Sequence, residues 1–448
     1  MLELRAETIF PGIVSGKVLK DPTSHRDWRD KILVLTGQNW KLLVYAQDVR
    51  PAGIVIAEGP RFSHAAIFLA SLRIPSVSVS SEILSITNGT EIIVNATVGT
   101  LVIEPEQAQK NVAQLRGADN ISPLPPNTRI SNSAPEATSR DGQQIRIGAS
   151  INGAHGAFEA VRSGASEIGL LRTEFLPGIV HSPESAEAHY NSLREILLTC
   201  NHLHVTIRLL DFGAEKSFRW APPIPGGESA LGLRGLRLFC HDKFRNIVEA
   251  QLVAINALAR EFNISLLVPF VTHPNEIATF TETYRHELGA LKEHLGTMIE
   301  VPALCYQIHE LGRMVHFGAV GLNDLSQLIF AADRTNPHVG DLLNPLSAGL
   351  HRFVYEALTQ SRQVNFPLRV CGQMLLHPYS LALLLGMGFR QFSLDPAAIP
   401  VAKKLITQTD LNELSNITRE FLVHPDKIAI LLERLDDASS GALVPTDT

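Results

Sequence analysis

Side chains suited to phosphate and metal chemistry recur along the last two thirds of this 448-residue chain. Arg172 directly follows a short apolar run, Arg208 lies within another, and Arg334 lies beyond a third. A planar guanidinium binds carboxylate and phosphate oxygens through paired hydrogen bonds. Glu300 and Asp324 follow two further runs, and two carboxylates are a typical protein share of an octahedral Mg²⁺ site. These residue types predict a site for a small phosphorylated carboxylate bound through Mg²⁺.

A histidine near the N-terminus lies in a segment whose sequence predicts a strand, a turn and the start of a helix. The apolar run 53–57 predicts a buried strand, and a Gly-Pro turn at 59–60 follows it. Ser63 is a helix N-cap candidate before the helical pattern at 65–72. His64 would then lie in a first helical turn, where free N–H groups and the helix dipole favour negative charge. We predict that His64 carries a phosphoryl group; a capping or packing histidine is the alternative.

Composition excludes several classes of protein. Hydrophobic residues make up 45% and charged residues 19%, which is typical of a globular protein with two or three domains. The net charge of −6 argues against nucleic-acid or anionic-membrane partners. The sequence has no apolar run near the ~20 residues of a membrane span and no signal-peptide pattern. Four cysteines without CxxC spacing suggest neither disulfides nor a zinc site, so we expect a cytoplasmic protein.

Residues 1–108 predict a β-rich domain. Short strand-like runs dominate, and 91–94 and 100–103 form a hairpin-like pair. Helical patterns occur at 65–73 and near 40–48.

Residues 109–142 are rich in Pro, Ser and Asn, which predicts a linker. A coil of that length has a root-mean-square span of roughly 30 Å, enough for a small domain to swing between two sites. A linker that tethers two static domains fits the same composition.

Residues 143–435 show a different rhythm, in which short apolar runs alternate with amphipathic segments. Eight such repeats predict an α/β fold, a (β/α)8 TIM-like barrel. A doubly wound open sheet is the alternative. The predicted strands are 145–149, 168–171, 205–210, 265–269, 297–300, 319–322, 368–371 and 391–394. In a barrel, the arginines and carboxylates above would gather at the C-terminal strand ends, where active sites form. Residues 436–448 predict a disordered tail.

Several segments resemble Enzyme I, the phosphoenolpyruvate–protein phosphotransferase of the bacterial sugar phosphotransferase system. Residues 169–176 are similar to its GLYRTEFL stretch and residues 61–65 to its RTSHxx phosphohistidine site. Further similarities are 10–17 to SPGIAxGK, 231–237 to ALGxRxIR, 321–334 to GTNDLTQ…AVDR and 384–388 to LLGMG. The resemblance covers nearly the whole chain. The wider family includes phosphoenolpyruvate synthase and pyruvate phosphate dikinase, whose histidine domains swivel between sites.

The resemblance implies roles for individual residues. Arg172, Arg208 and Arg334 would bind the phosphate and carboxylate of phosphoenolpyruvate, and Glu300 and Asp324 would bind Mg²⁺. Substrate contacts would also come from Arg234, Asn323 and Lys216. His64 would attack phosphorus within a swivelling phosphohistidine domain at 1–108, and the protein would form a homodimer through the barrel.

Cys371 matches the family residue that protonates the enolate of pyruvate. A thiol suits this role because it is mostly protonated at pH 7 and is a better acid than a hydroxyl. A small buried core residue is the alternative.

Three departures from the family pattern leave the function open. Pro60 and Phe62 make the phosphohistidine loop stiffer and bulkier, and Gln373 replaces a glutamate beside Cys371. The helical insertion that docks the small phosphocarrier protein, and any ATP-binding domain, have no counterpart here. We therefore expect transfer from phosphoenolpyruvate to His64 and on to an unidentified acceptor, with release of pyruvate. The alternatives are half of a split synthase or dikinase, or a degenerate phosphoenolpyruvate sensor.

Overall fold

The computed structural model describes residues 2–10, 12–20, 28–36, 50–57, 74–105, 136–211, 231–334, 336 and 338–438. The chain divides into two compact units. The first comprises residues 1–129 with 333–341, and the second comprises 130–332 with 342–448. The helices predicted near 40–48 and at 65–73 lie outside the described residues, as does most of the predicted linker.

The described part of the first unit is an eight-stranded mixed sheet in the order β1-β8-β7-β3-β4-β5-β6-β2. Its strands are β1 Leu2–Arg5, β2 Glu7–Phe10, β3 Ile13–Lys20, β4 Lys31–Thr36, β5 Gly53–Ala57, β6 Ser76–Val79, β7 Glu91–Asn95 and β8 Thr100–Ile103. Strands β3 to β6 are parallel neighbours, and β7 pairs antiparallel with β8. The predicted hairpin is therefore confirmed.

Strand β5 is buried along its whole length, as its uninterrupted apolar sequence predicts. It is hydrogen-bonded to parallel partners on both sides, β4 and β6. The segment that carries His64 follows this strand and lies outside the described residues.

The second unit is a closed barrel of eight parallel strands. The strands are β10 Gln144–Ile151, β11 Ile168–Arg172, β12 Val205–Arg208, β13 Ile264–Val268, β14 Leu295–Ile299, β15 Phe317–Gly321, β16 Leu368–Cys371 and β17 Gln391–Leu394. Each pairs with the next, and β10 pairs with both β11 and β17, which closes the barrel. The predicted (β/α)8 barrel is confirmed, and the open doubly wound sheet is excluded.

Helices surround the barrel because their apolar faces pack against the strands. They are α1 Ala154–Arg162, α2 Pro177–His181, α3 Ala186–Thr199, α4 Leu236–Phe239, α5 Arg245–Leu258, α6 Pro274–Thr283, α7 Arg285–Leu288, α8 Ile308–Leu311, α9 Leu322–Phe330, α10 Ala348–Gln363, α11 Pro378–Met387, α12 Ile399–Gln408, α13 Leu411–Val423 and α14 Ile428–Ala438. Within the described residues, no helix is long and apolar enough to cross a membrane.

Two boundaries differ from the predicted ones. Strand β9, Glu136–Thr138, lies inside the segment predicted as linker and pairs antiparallel with β10. Helix α14 continues to Ala438, past the boundary predicted at residue 435. Residues 439–448 lie outside the described part of the chain.

The barrel interior is filled by side chains rather than open. Leu170, Leu267, Met298, Ala319 and Cys371 come from five strands and pack together. The interior is thus a packed core, and a substrate must bind at one end of it.

A buried histidine on α10 makes the stability of the barrel dependent on pH. His351 is 2% exposed, its Nδ1 lies 2.9 Å from the carbonyl oxygen of Ser347, and its ring packs edge-on against Phe421. Burial lowers the pKa of His351 to about 4, from an ordinary value of 6.5. The unfolded chain therefore takes up this proton at a higher pH than the folded chain does.

We predict that the free energy of unfolding falls as the pH drops from 6.5 towards 4, because protonation favours the unfolded state there. His351 should account for about 3 kcal/mol of the loss. In His351→Gln, the slope of the free energy of unfolding against pH, measured by urea unfolding, should be smaller. The total loss between pH 6.5 and 4 should then be about 3 kcal/mol less than in the wild type. The exposed His286→Gln is the control and should leave the slope unchanged. An unaltered slope in His351→Gln would contradict the prediction.

Candidate active site

The C-terminal strand ends gather most of the residues that the sequence singled out. Arg172, Arg208 and Cys371 are the last residues of β11, β12 and β16, and Glu300 directly follows β14. Asp324 lies in the first turn of α9, which begins right after β15. Parallel strands bring all of these positions to one end of the barrel.

Arg172 is held by the end of the first barrel strand. Its Nη1 donates hydrogen bonds to Ser150 Oγ at 2.8 Å and Asn152 Oδ1 at 3.4 Å. These contacts with Ser150 and Asn152 help to fix the direction of the guanidinium. Such a side chain can bind an anionic group of a substrate.

Arg208 is buried and forms ion pairs with two carboxylates. Its Nη2 contacts Glu174, and its Nη1 lies 3.7 Å from Asp211 Oδ2. The backbone N–H of Asp211 also donates to Glu174 Oε1, at 3.2 Å. Burial alone would lower the pKa of Arg208, but the charges of Glu174 and Asp211 outweigh it and raise that pKa.

Arg234 joins two parts of the site. Its Nη2 and Nε contact the two oxygens of Asp211 at 2.7 and 3.3 Å, and its Nη1 contacts Asp324 Oδ1 at 2.8 Å. The guanidinium is almost fully buried. Burial opposes the charge, but Asp211 and Asp324 raise the pKa of Arg234 well above its ordinary value. Arg234 is therefore a permanent cation fixed between two carboxylates.

Glu300 is buried in the same charged cluster, and its Oε1 accepts a hydrogen bond of 2.8 Å from the N–H of Phe270. Burial raises the pKa of Glu300, and the negative charges of Asp324 and Asp211 raise it further. A side chain at Gly321 would place its Cβ 2.7 Å from Glu300 Oε2, so only glycine fits beside this carboxylate.

The side chains of Glu300 and Asp324 are chemically suited to bind a magnesium ion. Burial, together with the negative charges of Asp324 and Asp211, disfavours ionisation of Glu300, and a divalent cation would offset both effects. Among the described residues, no group of three or more His, Cys, Asp or Glu side chains could hold a metal. Two carboxylates, with substrate and water completing the shell, are nevertheless a common protein share for Mg²⁺.

Asn323 and Cys371 lie where β15 and β16 end side by side. Asn323 Oδ1 accepts a hydrogen bond of 2.9 Å from the N–H of Gln373, which fixes the direction of the amide. The intervening Gly372 has a φ of +130°, and a Cβ there would lie 3.0 Å from Asn323 Oδ1. Burial raises the pKa of the Cys371 thiol to about 11, with nearby Arg172 opposing the rise. The thiol is therefore fully protonated at pH 7.

The structure does not place three of the predicted site residues among the side chains at the strand ends of the barrel. His64 and Lys216 lie outside the described residues. Arg334 is buried and belongs to the segment 333–341 that groups with the first unit. The roles of these three residues stay predictions.

Sequence reasoning missed three residues that organise the site. Glu174 and Asp211 pair with the buried arginines, and the rule that a buried charge needs a partner could have found them. Gln251 on α5 is fully buried; its Nε2 donates to Thr173 Oγ1 and its Oε1 accepts from the N–H of Leu210, both at 3.0 Å. Nothing in the helical pattern around Gln251 distinguishes it from other polar residues of α5.

The comparisons with known proteins agree with this architecture. Residues 128–411 match the family model described as PEP-utilising enzyme, PEP-binding domain. Residues 29–99 match the mobile domain of PEP-utilising enzymes. The first match alone spans more than half of the chain, so the chain belongs to the family of PEP-utilising enzymes.

Individual relatives include named phosphotransferases. A phosphoenolpyruvate-protein phosphotransferase from Haloferax volcanii is 30% identical over 386 residues, covering 83% of this chain and 66% of the relative. Multiphosphoryl transfer protein 1 from Escherichia coli K12 is 28% identical over 380 residues, covering 82% and 45%. An Escherichia coli K12 protein named phosphoenolpyruvate-dependent phosphotransferase system is 28% identical, covering 88% and 54%. The chain thus spans about half to two thirds of the length of these relatives.

We predict that Gln251→Leu lowers the free energy of unfolding by about 1–3 kcal/mol, because the buried N–H of Leu210 and the hydroxyl of Thr173 lose their partner. Urea unfolding at pH 7 measures the change. Gln363→Leu, at the exposed last residue of α10, is the control and should alter the free energy of unfolding by less than about 0.5 kcal/mol. Equal effects of the two substitutions would contradict the positioning role of Gln251.

Proposed function

We propose that this protein is a Mg²⁺-dependent phosphotransferase that moves the phosphoryl group of phosphoenolpyruvate onto His64 and releases pyruvate. The observation that carries the proposal is the buried cluster in which Arg234 bridges Asp211 and Asp324 beside Glu300. Membership of the PEP-utilising family and the names of the relatives support it.

Substrate binding rests on the arginines at the strand ends. Phosphoenolpyruvate carries a phosphate and a carboxylate, each of which matches the fork of a guanidinium. Arg172, Arg208 and Arg234 belong to the described site, and Arg334 and Lys216 would add two more cations. Asn323 would donate its amide N–H groups to a substrate oxygen, since its Oδ1 is already occupied by Gln373.

The described site also needs a cation besides its arginines. Burial and the nearby charge of Asp324 raise the pKa of Glu300, and a divalent cation would stabilise the ionised forms of both carboxylates. Glu300 and Asp324 would hold Mg²⁺. The chemistry that the ion supplies when bound is neutralisation of the charge on phosphate and enolate oxygens.

His64 and Cys371 would carry out the two bond changes. His64 Nε2 attacks phosphorus, a P–N bond forms, and the bridging P–O bond breaks with its electron pair passing to the enolate of pyruvate. Cys371 then donates its thiol proton to carbon three of the enolate. The raised pKa of Cys371 keeps that proton in place until the strongly basic enolate forms. Water returns a proton to the thiolate afterwards.

His64 would then pass the phosphoryl group on to an acceptor. The Haloferax volcanii relative is named a phosphoenolpyruvate-protein phosphotransferase, which favours a protein acceptor. Swivelling of the N-terminal domain, a homodimer and a cytoplasmic location are part of the same proposal.

We expect incubation with phosphoenolpyruvate and Mg²⁺ to give one pyruvate and one acid-labile phosphate per chain. His64→Ala should give neither, because the attacking nitrogen is gone, whereas the exposed His286→Ala should behave as wild type. Phosphorylated protein is measured with labelled phosphoenolpyruvate on gels run and fixed without acid, before and after a separate acid treatment of the sample. Labelling that requires ATP and a second protein would favour a split synthase instead. Tight binding of phosphoenolpyruvate without any pyruvate release would favour a sensor.

Cys371→Ala should slow protonation of the enolate by about 10²- to 10⁴-fold, the usual contribution of a general acid. Binding of phosphoenolpyruvate should change little, because the arginines are intact. The measurement is incorporation of solvent deuterium into the methyl group of pyruvate under single-turnover conditions. Cys305→Ala, which removes another buried thiol from the same barrel, is the control. An unchanged rate of deuterium incorporation in Cys371→Ala would remove the thiol from the mechanism.

A further inference from the structure

Phe270 has an unusual backbone conformation for its type. It follows β13, its side chain is 2% exposed, and its φ is +52°. The left-handed region is unfavourable for a residue with a bulky side chain, and such strain persists only where the surroundings impose it. At Phe270 the surroundings are the charged cluster itself.

The strained backbone is held by Glu300. In this conformation the N–H of Phe270 points at Glu300 Oε1, 2.8 Å away. A hydrogen bond to a buried carboxylate is among the stronger ones in a protein, so it can hold a conformation that the residue alone disfavours.

The phenyl ring faces two arginines. The guanidinium carbon of Arg234 lies 4.2 Å from the ring centroid, and that of Arg237 lies 5.1 Å away. Both distances are within the range of cation–π attraction, which is strongest when the pair is desolvated. Arg234 is the buried arginine that bridges Asp211 and Asp324.

The loop around Arg234 packs directly onto the same turn. The N–H of Leu236 donates to the carbonyl of Pro269 at 3.1 Å. Gly235 has a φ of +53°, and a Cβ there would lie 2.5 Å from the Cβ of Phe270. Only glycine permits this approach, so the ring occupies a defined place beneath Arg234.

We propose that Phe270 is a positioning residue of the phosphoenolpyruvate site, whose ring fixes the guanidinium of Arg234 while the Glu300 hydrogen bond fixes the ring. This inference rests on the proposed function, because it concerns the binding of the same substrate. Phe270 would act through the cation–π contact between its ring and Arg234, which an aliphatic side chain of similar size could not make.

The test compares Phe270→Leu with Phe270→Tyr in single-turnover phosphorylation of the full chain. Loss of the cation–π contact should raise the half-saturating phosphoenolpyruvate concentration about threefold to thirtyfold in Phe270→Leu. Phe270→Tyr keeps a π face and should restore binding. Phe421→Leu removes a buried ring of α13 that packs on His351 of α10, and should leave the concentration unchanged. Binding of Mn²⁺ alone, followed by electron paramagnetic resonance, should differ less than twofold between wild type and Phe270→Leu, since the backbone N–H to Glu300 remains.

A double-mutant cycle with Arg234→Gln, which removes the cation but keeps a hydrogen-bond donor, provides the second measurement. If the ring acts through Arg234, Phe270→Leu should weaken binding much less in the Arg234→Gln background than in the wild type. Effects that simply multiply would overturn the inference, as would wild-type binding by Phe270→Leu. A wild-type protein that neither forms a phosphoenzyme nor binds phosphoenolpyruvate would instead refute the proposed function.

Discussion

The ion cluster that joins Arg208 and Arg234 to Glu174, Asp211 and Asp324 constrains the whole C-terminal end of the barrel. Removing such charges from water costs several kcal/mol for each ion, and only well-placed partners offset that cost. The partners belong to segments that follow different strands. These partners meet only if the barrel closes in the correct register. The ion pairs that offset the cost of burying the charges therefore also favour one arrangement of the strand ends.

Three of the positive-φ residues lie at the same end. Gly235, Phe270 and Gly372 all have positive φ values, and each contacts a residue of the cluster or of its neighbouring loop. Strained or glycine-dependent positions are typical of functional sites, where the chain must approach a ligand or present a particular group. Part of the conformational cost of the fold, as well as the buried charge, therefore falls where the proposed chemistry takes place.

Charged groups also occur at the opposite end of the barrel interior, with a different character. Arg369 lies 3.4 Å from Glu167 and donates hydrogen bonds to Thr206 Oγ1 and the carbonyl of Gly169. These contacts tie β16 to β11 and β12 and leave the guanidinium buried within the protein. Polar residues at the N-terminal end of such a barrel generally serve stability, which separates this group from the catalytic end.

From the sequence alone follow the alternation of strands and helices, the barrel class and the positions of Arg172, Glu300 and Cys371 at strand ends, whereas the structure ends β12 at Arg208, two residues before the predicted end. The sequence determines these features because apolar periodicity is a local property and strand ends follow from it. The partners of those residues depended on the tertiary structure. Nothing local shows that Gln251 reaches Thr173, or that the ring of Phe270 lies beneath Arg234, because those contacts join residues 36 to 78 positions apart only after the barrel has closed.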